Sequence, residues 1–178
     1  SRRVEFPEGD CGLMRPTKCN LEAWREVERA ARILSAEVVV LQSPPSFKRT
    51  DESERWVREL FDEITGRLTI GWEVRHESWL SVVGEIAESY GVIHVVDPIR
   101  WRPASPSSTV YFRLHGAYVG GRIRYNYSYR EEELIGVIRL LQELEEEGAK
   151  KAYILFNNGR FMLEDARRFS FLLEDYWK

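Results

Sequence analysis

Short β-branched runs alternate with amphipathic segments along this chain, and that alternation restricts the fold more than any other feature. The predicted strands are 37–42, 69–75, 92–97, 109–115 and 152–158. Apolar residues recur at helical spacing in the predicted helices 21–34, 51–65, 79–90, 130–147 and 163–177. Strands that alternate with helices in this way predict an α/β fold with a parallel sheet.

The number of strand–helix units favours part of a barrel over an open sheet. No glycine-rich phosphate loop follows any strand, as it would in a dinucleotide-binding sheet. A complete TIM-type (β/α)₈ barrel has about 250 residues, whereas this chain has 178. We therefore predict a single domain over 1–178, the C-terminal five βα units of an eight-unit barrel, with 1–20 as an irregular N-terminal segment. A missing N-terminal segment or a partner chain would complete the barrel.

Composition limits the classes of function. The net charge of −3 gives no general attraction for nucleic acid or anionic membranes, so any basic surface must be local. No apolar run reaches the roughly 18 residues that cross a bilayer, and a cytoplasmic location is expected. Glutamate (23) and arginine (21) are abundant while asparagine (4) and glutamine (2) are scarce, which indicates a thermophilic source.

Side-chain alternation places polar groups on one face of the strand 109–115. Residues two apart in a strand share a face, so Arg113 and His115 point one way while Phe112 and Leu114 point the other. The same rule brings a polar group to the C-terminal end of every other predicted strand: Gln42, Glu73 with Arg75, Asp97, and Asn157. Parallel barrels carry their active sites at this end. The alternative is a closed ion-pair network that compensates the burial of Arg113.

The polar residues at the C-terminal strand ends form the predicted mouth of the barrel. They are acids, bases and anion-binding groups. We expect Glu73, Asp97 and His115 to be catalytic, with Glu73 or Asp97 as general base and His115 as acid or polarising group. Gln42, Arg75, Arg113 and Asn157 are expected to bind the ligand. The nearly balanced charge suits a small polar or phosphorylated ligand such as a sugar phosphate, and the reaction would be hydrolytic.

The spacing of the histidines and cysteines is not typical of a metal site. No two of His76, His94 and His115 are four apart on a helix, and we expect no metal and no cofactor. The alternative is a divalent ion held by Glu73, Asp97 and His115. The cysteines, Cys11 and Cys19, match no zinc spacing. We expect free thiols there, with a local disulfide as the alternative.

Two loops beside the strand 109–115 interleave arginine with aromatic residues. Loop 98–108 contains Arg100, Trp101 and Arg102, and loop 117–129 contains Arg122, Arg124, Tyr125 and Tyr127. Such a surface can hold phosphates and stack bases, so the alternative function is a non-catalytic nucleic-acid or nucleotide binding module that uses 117–130. A packed lid is the other interpretation. Gly120-Gly121 predicts a small hairpin, and loop 98–108 is expected on the opposite rim.

Several of these stretches resemble the YecE-like family, known as domain of unknown function 72. In the family's order they are LQSPPSFKRTDE (41–52), WEVRHESW (72–79), IHVVDP (93–98), YFRLHG (111–116), YNYSYREEEL (125–134) and ILFNN (154–158). GLMRPTK (12–18) looks like the archaeal branch. The resemblance implies a TIM-type barrel and no established activity, and it adds Asn158 to the ligand-binding residues. Family members begin with further strands that this chain lacks.

Overall fold

The structure is a computed structural model that describes residues 11–104 and 107–177. These residues form five α-helices, seven β-strands and two short 3₁₀ turns. In chain order they are α1 (Lys18–Ile33), β1 (Val38–Gln42), α2 (Asp51–Ile64), β2 (Thr69–Glu73), a 3₁₀ turn (Glu77–Trp79), α3 (Val83–Tyr90), β3 (Ile93–Val95), β4 (Thr109–Leu114), β5 (Ala117–Val119), β6 (Arg122–Arg124), α4 (Glu131–Glu146), β7 (Lys151–Phe156), a 3₁₀ turn (Gly159–Phe161) and α5 (Met162–Tyr176). Residues 1–10 of the predicted N-terminal segment lie outside the described residues.

Each of two compact units, Ser1–Ile93 and His94–Lys178, contains a pair of parallel strands. In the N-terminal unit, β1 pairs with β2 from Val38 opposite Thr69 to Gln42 opposite Glu73. In the C-terminal unit, β4 pairs with β7 along their whole length, and Val96 bridges Phe112 in parallel. This arrangement confirms the α/β class, and the barrel stays a prediction.

Aromatic side chains fill the core of the N-terminal unit. The buried face of α2 presents Leu60, Phe61 and Ile64, and the Phe61 ring meets Trp72 of β2 edge to face at 5.5 Å. Trp72 donates from Nε1 to Ser43 Oγ at 2.8 Å, so the buried indole satisfies its polar atom. The α2 N-terminus is fixed by a capping box at Thr50.

The third predicted helix begins later than expected. The sequence predicts a helix over 79–90, but α3 begins at Val83 and a separate 3₁₀ turn precedes it. The His76 side chain accepts from Ser78 N at 3.1 Å and closes that turn. Trp79 is fully buried and donates to Phe47 O at 2.8 Å. We infer that the anchored indole separates the turn from the helix.

The core of the C-terminal unit follows the predicted alternation. Val110, Phe112 and Leu114 of β4 are buried, and the residues between them are half-buried. The buried stripe of α4 covers this apolar face with residues at helical spacing: Leu134, Val137, Ile138, Leu141 and Leu144. The predicted hairpin is confirmed, because β5 and β6 pair antiparallel around Gly120-Gly121.

The expectation of free thiols is wrong, because Cys11 and Cys19 form a disulfide. Gly12, Leu13 and Met14 all have positive φ, which turns the chain back toward the first turn of α1. The Asn20 side chain holds this turn by donating to Gly12 O at 3.0 Å and to Arg15 O at 2.7 Å. The two Cα atoms are thereby 5.5 Å apart, within disulfide range.

Over the described ranges, no helix combines the length and the apolar character that a bilayer crossing requires.

Candidate functional site

Asp97 joins three segments of the C-terminal unit. It follows β3 and is 5% exposed. One carboxylate oxygen accepts from Ile99 N at 3.0 Å; the other accepts from His115 N at 2.9 Å and from the Tyr118 hydroxyl at 3.1 Å. Burial raises the pKa of the Asp97 carboxyl, and these hydrogen bonds oppose the shift. Asp97 therefore fixes the turn after β3, the end of β4 and strand β5 at one point.

His115 and Asn157 meet where β4 and β7 end. Asn157 N donates to Leu114 O at 2.8 Å, which continues the parallel pairing past β7. The Asn157 side chain donates from Nδ2 to His115 Nδ1 at 3.1 Å. An imidazole that accepts at Nδ1 carries its proton on Nε2. The contact with Asn157 therefore places the ring proton of His115 on Nε2.

Tyr125 lies against the His115 ring. The two rings are perpendicular with centroids 6.2 Å apart. His115 is 1% exposed while Tyr125 is 47% exposed. Tyr125 thus lies between a buried imidazole and solvent, and the predicted roles of the loop stay predictions.

Gly116 allows the hairpin to approach the end of β4. Its φ is +111°, and a Cβ at this position would lie 2.3 Å from the Arg124 carbonyl oxygen. Gly116 N donates to the Tyr129 hydroxyl at 2.6 Å. Burial raises the pKa of that phenol, so Tyr129 stays neutral. Only glycine permits this close contact between β4 and β6.

Asn158 and Tyr127 make hydrogen bonds to other residues of the C-terminal unit. Asn158 is buried and donates from Nδ2 to Asp165 at 2.6 Å and to Tyr127 O at 2.8 Å. Asp165 also accepts from Tyr129 N and pairs with Arg168 at 2.9 Å. The Tyr127 hydroxyl donates to Glu133 at 2.7 Å, near the start of α4. The contacts of both residues are therefore structural ones, although the sequence predicts ligand or nucleic-acid binding for them.

The N-terminal unit contains its own polar pair. Glu73 is buried, and its carboxylate lies 3.3 Å from Arg75 Nη1. Gln42 is exposed and lies opposite Glu73 in the β1–β2 register. Arg113 belongs to the C-terminal unit, where it is half-buried on the polar face of β4.

Arg100 belongs to the arginine–aromatic loop 98–108, and its contacts go beyond what the sequence predicts. Its guanidinium lies 3.9 Å from the Trp101 ring centroid and 5.2 Å from that of Tyr118. The expectation that loop 98–108 lies on the opposite rim is therefore wrong for Arg100. Arg100 N and Trp101 N both donate to Asp97 O at 2.9 Å, so the chain turns back beside β5. An Arg-Trp pair three residues after a strand-end Asp was the available signal.

No group of three or more His, Cys, Asp or Glu side chains in the described part of the chain is placed to hold a metal ion.

Comparisons with known proteins agree on one family. The family model described as "Protein of unknown function DUF72" matches residues 13–177. The crystal structure of a DUF72 family protein from Thermotoga maritima MSB8 is similar, with a TM-score of 0.71 and 25% sequence identity, over 86% of this chain and 65% of that one. A DUF72 family protein from Enterococcus faecalis V583 also has a TM-score of 0.71, at 20% identity, over 92% of this chain and 70% of that one.

The chain thus spans less than two thirds of the length of the T. maritima protein. A comparison with curated proteins gives no match. The family model covers nearly the whole sequence, and this chain belongs to the DUF72 family of proteins of unknown function.

Proposed function

We propose that this protein is a hydrolase-type enzyme that acts on a phosphate- or sugar-containing ligand at the C-terminal ends of its parallel strands. The observation that carries the proposal is the contact between His115 and Asn157, which follow two paired parallel strands. Ligands of α/β folds bind outside the carboxyl ends of parallel strands. A buried histidine whose ring is oriented by an amide at that position can donate a hydrogen bond to a ligand and polarise one of its bonds.

We further propose that the strand–helix units are the last five of a TIM-type barrel. The order of the elements and the parallel register of both described pairs support this assignment. The similarity to a longer DUF72 chain supports it as well. A preceding segment or a partner chain would supply the other three units.

The residues take distinct roles in this proposal. His115 donates from Nε2 to an oxygen of the ligand and polarises the bond that breaks, and Asn157 holds the ring in that tautomer. Asp97 positions the His115 backbone and the Tyr118 hydroxyl, because one of its carboxylate oxygens accepts from both. In the N-terminal unit, taken by itself, Glu73 is paired with Arg75 and has the role of a general base.

A pair of matched histidine variants tests the role of His115. His115→Asn keeps an acceptor near the Nδ1 position and removes the Nε2 donor. His94→Asn makes the same change at a second buried histidine, whose Nδ1 accepts from Ala104 N at 3.0 Å. We expect His115→Asn to lower turnover of p-nitrophenyl phosphates or glycosides by about 10²–10³-fold, as removal of one catalytic donor does. Turnover in His115→Asn equal to that in His94→Asn would contradict the proposal.

Glu73→Gln tests the general base independently. Loss of turnover with ligand binding retained supports the role, because the amide keeps the shape and loses the basicity. Unchanged turnover excludes Glu73 as the base.

Single-stranded nucleic-acid binding by the hairpin is the second candidate. Arg122 and Arg124 are exposed on β6, and neither has a carboxylate partner among residues 11–104 and 107–177. With only these two arginines as phosphate contacts, log K should fall with log salt at a slope of about −1.4. Arg122→Gln with Arg124→Gln should abolish that slope. A parent protein with no measurable binding at low salt excludes this candidate.

A further inference from the structure

We propose that Arg100, whose guanidinium lies over the rings of Trp101 and Tyr118, binds a phosphate monoester group of the ligand. The inference rests on the proposed function and names the part of the ligand that this unit recognises. The sequence places Arg100 and Trp101 in a loop that can hold phosphates, and the contact with Tyr118 distinguishes Arg100 within that loop.

The position of Arg100 is fixed by Asp97. The carbonyl oxygen of Asp97 accepts from Arg100 N and Trp101 N, and its side chain accepts from Ile99 N. The same carboxylate accepts from the Tyr118 hydroxyl. The backbone that carries the guanidinium and one ring that faces it are therefore held by a single buried residue.

The two rings stabilise the positive charge of Arg100, but they are poor acceptors for its N–H groups. An aromatic face attracts a guanidinium through its π electrons and accepts few of its five N–H donors. Within the described ranges, no carboxylate lies within ion-pair distance of Arg100. Its N–H groups are thus available to an oxyanion, and a guanidinium matches two phosphate oxygens at once.

Arg102, two residues further along the same loop, shows the contrast. Its guanidinium binds Glu143 and Glu147 of the α4 end, each at 2.6 Å. A structural arginine in this loop is paired with carboxylates. Arg100 contacts aromatic rings instead of carboxylates. Its N–H groups can therefore bind an anionic group of the ligand.

A phosphate monoester fits better than a phosphodiester. The monoester carries close to two charges at neutral pH and three terminal oxygens, and it can bind end-on to one arginine. The exposed hairpin arginines, Arg122 and Arg124, in contrast share one face of β6 and suit neighbouring phosphates of a single strand. Two sources of phosphate can therefore be distinguished by experiment.

Calorimetric titration of the parent, Arg100→Gln and Arg102→Gln with inorganic phosphate and with a hexose 6-phosphate tests the inference. We expect Arg100→Gln to weaken binding of both by at least about tenfold, the loss expected for one charge-assisted contact. Arg102→Gln should bind within about twofold of the parent, because an exposed ion pair contributes little. The tryptophan emission of the protein should change on binding in the parent and in Arg102→Gln only, because Trp101 lies against Arg100.

The outcomes separate this inference from the proposed function. Phosphate binding that is equal in Arg100→Gln and the parent overturns the inference, as does a parent that binds neither compound. An equal loss in Arg102→Gln also overturns it, because the effect then belongs to the loop as a whole. If His115→Asn has full turnover while Arg100→Gln loses phosphate binding, the Arg100 site stands and the hydrolase proposal fails. Stronger binding of an oligonucleotide than of hexose 6-phosphate, lost in Arg100→Gln, overturns the monoester assignment.

Discussion

At the scale of single residues, His94 shows how burial controls protonation. Burial lowers the pKa of its imidazole to about 4, and within the described residues its Nε2 has no hydrogen-bond partner. Below pH 6.5 the unfolded chain binds a proton at His94, whereas the folded protein does so only near pH 4. The free energy of unfolding should therefore fall by about 3 kcal/mol between pH 7 and pH 4. Urea unfolding across this range measures the change.

His94→Asn is the control for that prediction. The amide oxygen can accept from Ala104 N in place of Nδ1, and it does not titrate. The variant should lose this part of the pH dependence. An unchanged slope in the variant would assign the acid sensitivity to other groups.

Asp97 provides a second prediction at the residue scale. Asp97→Asn replaces one of its two accepting oxygens with an NH₂ group, which then faces a donor. We expect a loss of about 1–3 kcal/mol in the free energy of unfolding, the cost of a buried unsatisfied group. Tyr118→Phe removes a single donor and leaves the carboxylate with two, so its cost should be smaller. If the two variants lose equal stability, Asp97 does not hold three segments together.

At the scale of secondary-structure elements, the β5–β6 hairpin depends on Gly116. Gly116→Ala adds a methyl group 2.3 Å from a backbone carbonyl, at a φ that L residues avoid. We expect a cost of at least about 2 kcal/mol in thermal unfolding, because strain and displacement of β6 add. Gly120→Ala is the matched control: its φ is also positive, but no atom lies within 4 Å. The control should cost about 1 kcal/mol, and equal costs would show that the close approach is unimportant.

The elements themselves were predictable, because each depends on local periodicity. The sequence predicts all five helices, and β4 buries its apolar residues in the expected alternation. The start of α3 was not predictable, since it depends on Trp79 packing against Phe47, a contact between distant residues. The disulfide likewise depends on three consecutive positive φ values, and Leu13 and Met14 carry no sequence signal for that conformation.

The candidate site was predictable where it depends on strand register. Arg113 and Leu155 are paired in register, so His115 and Asn157 follow at the same level, and alternation was sufficient to select both. The sequence places Arg100 in an arginine–aromatic loop, but its contact with Tyr118 depends on the turn after Asp97, which no local pattern predicts. The resemblance implies ligand binding for Asn158, and the loop pattern predicts a nucleic-acid or lid contact for Tyr127; no sequence pattern reveals their contacts with Asp165 and Glu133.

At the scale of the whole molecule, the Cys11–Cys19 disulfide should contribute to stability. It closes a loop with a sequence separation of eight residues. Loop-closure entropy for that length corresponds to about 2–3 kcal/mol. The oxidised protein should therefore unfold at a higher temperature than the reduced and alkylated protein. The double variant Cys11→Ala with Cys19→Ala should match the reduced form, and a transition temperature equal to that of the oxidised protein would contradict the prediction.

The three-way attachment at Asp97 also has an evolutionary consequence. Three donors from separate segments must reach one carboxylate, so the spacing from 97 to 99 and from 115 to 118 cannot change without breaking a bond. The hairpin tip at 119–122 makes no such bond to Asp97 and can lengthen or shorten. As DUF72 sequences diverge, insertions should accumulate at the tip and be excluded from the two short intervals. Replacement of Asp97 should occur together with loss of the hydroxyl at position 118.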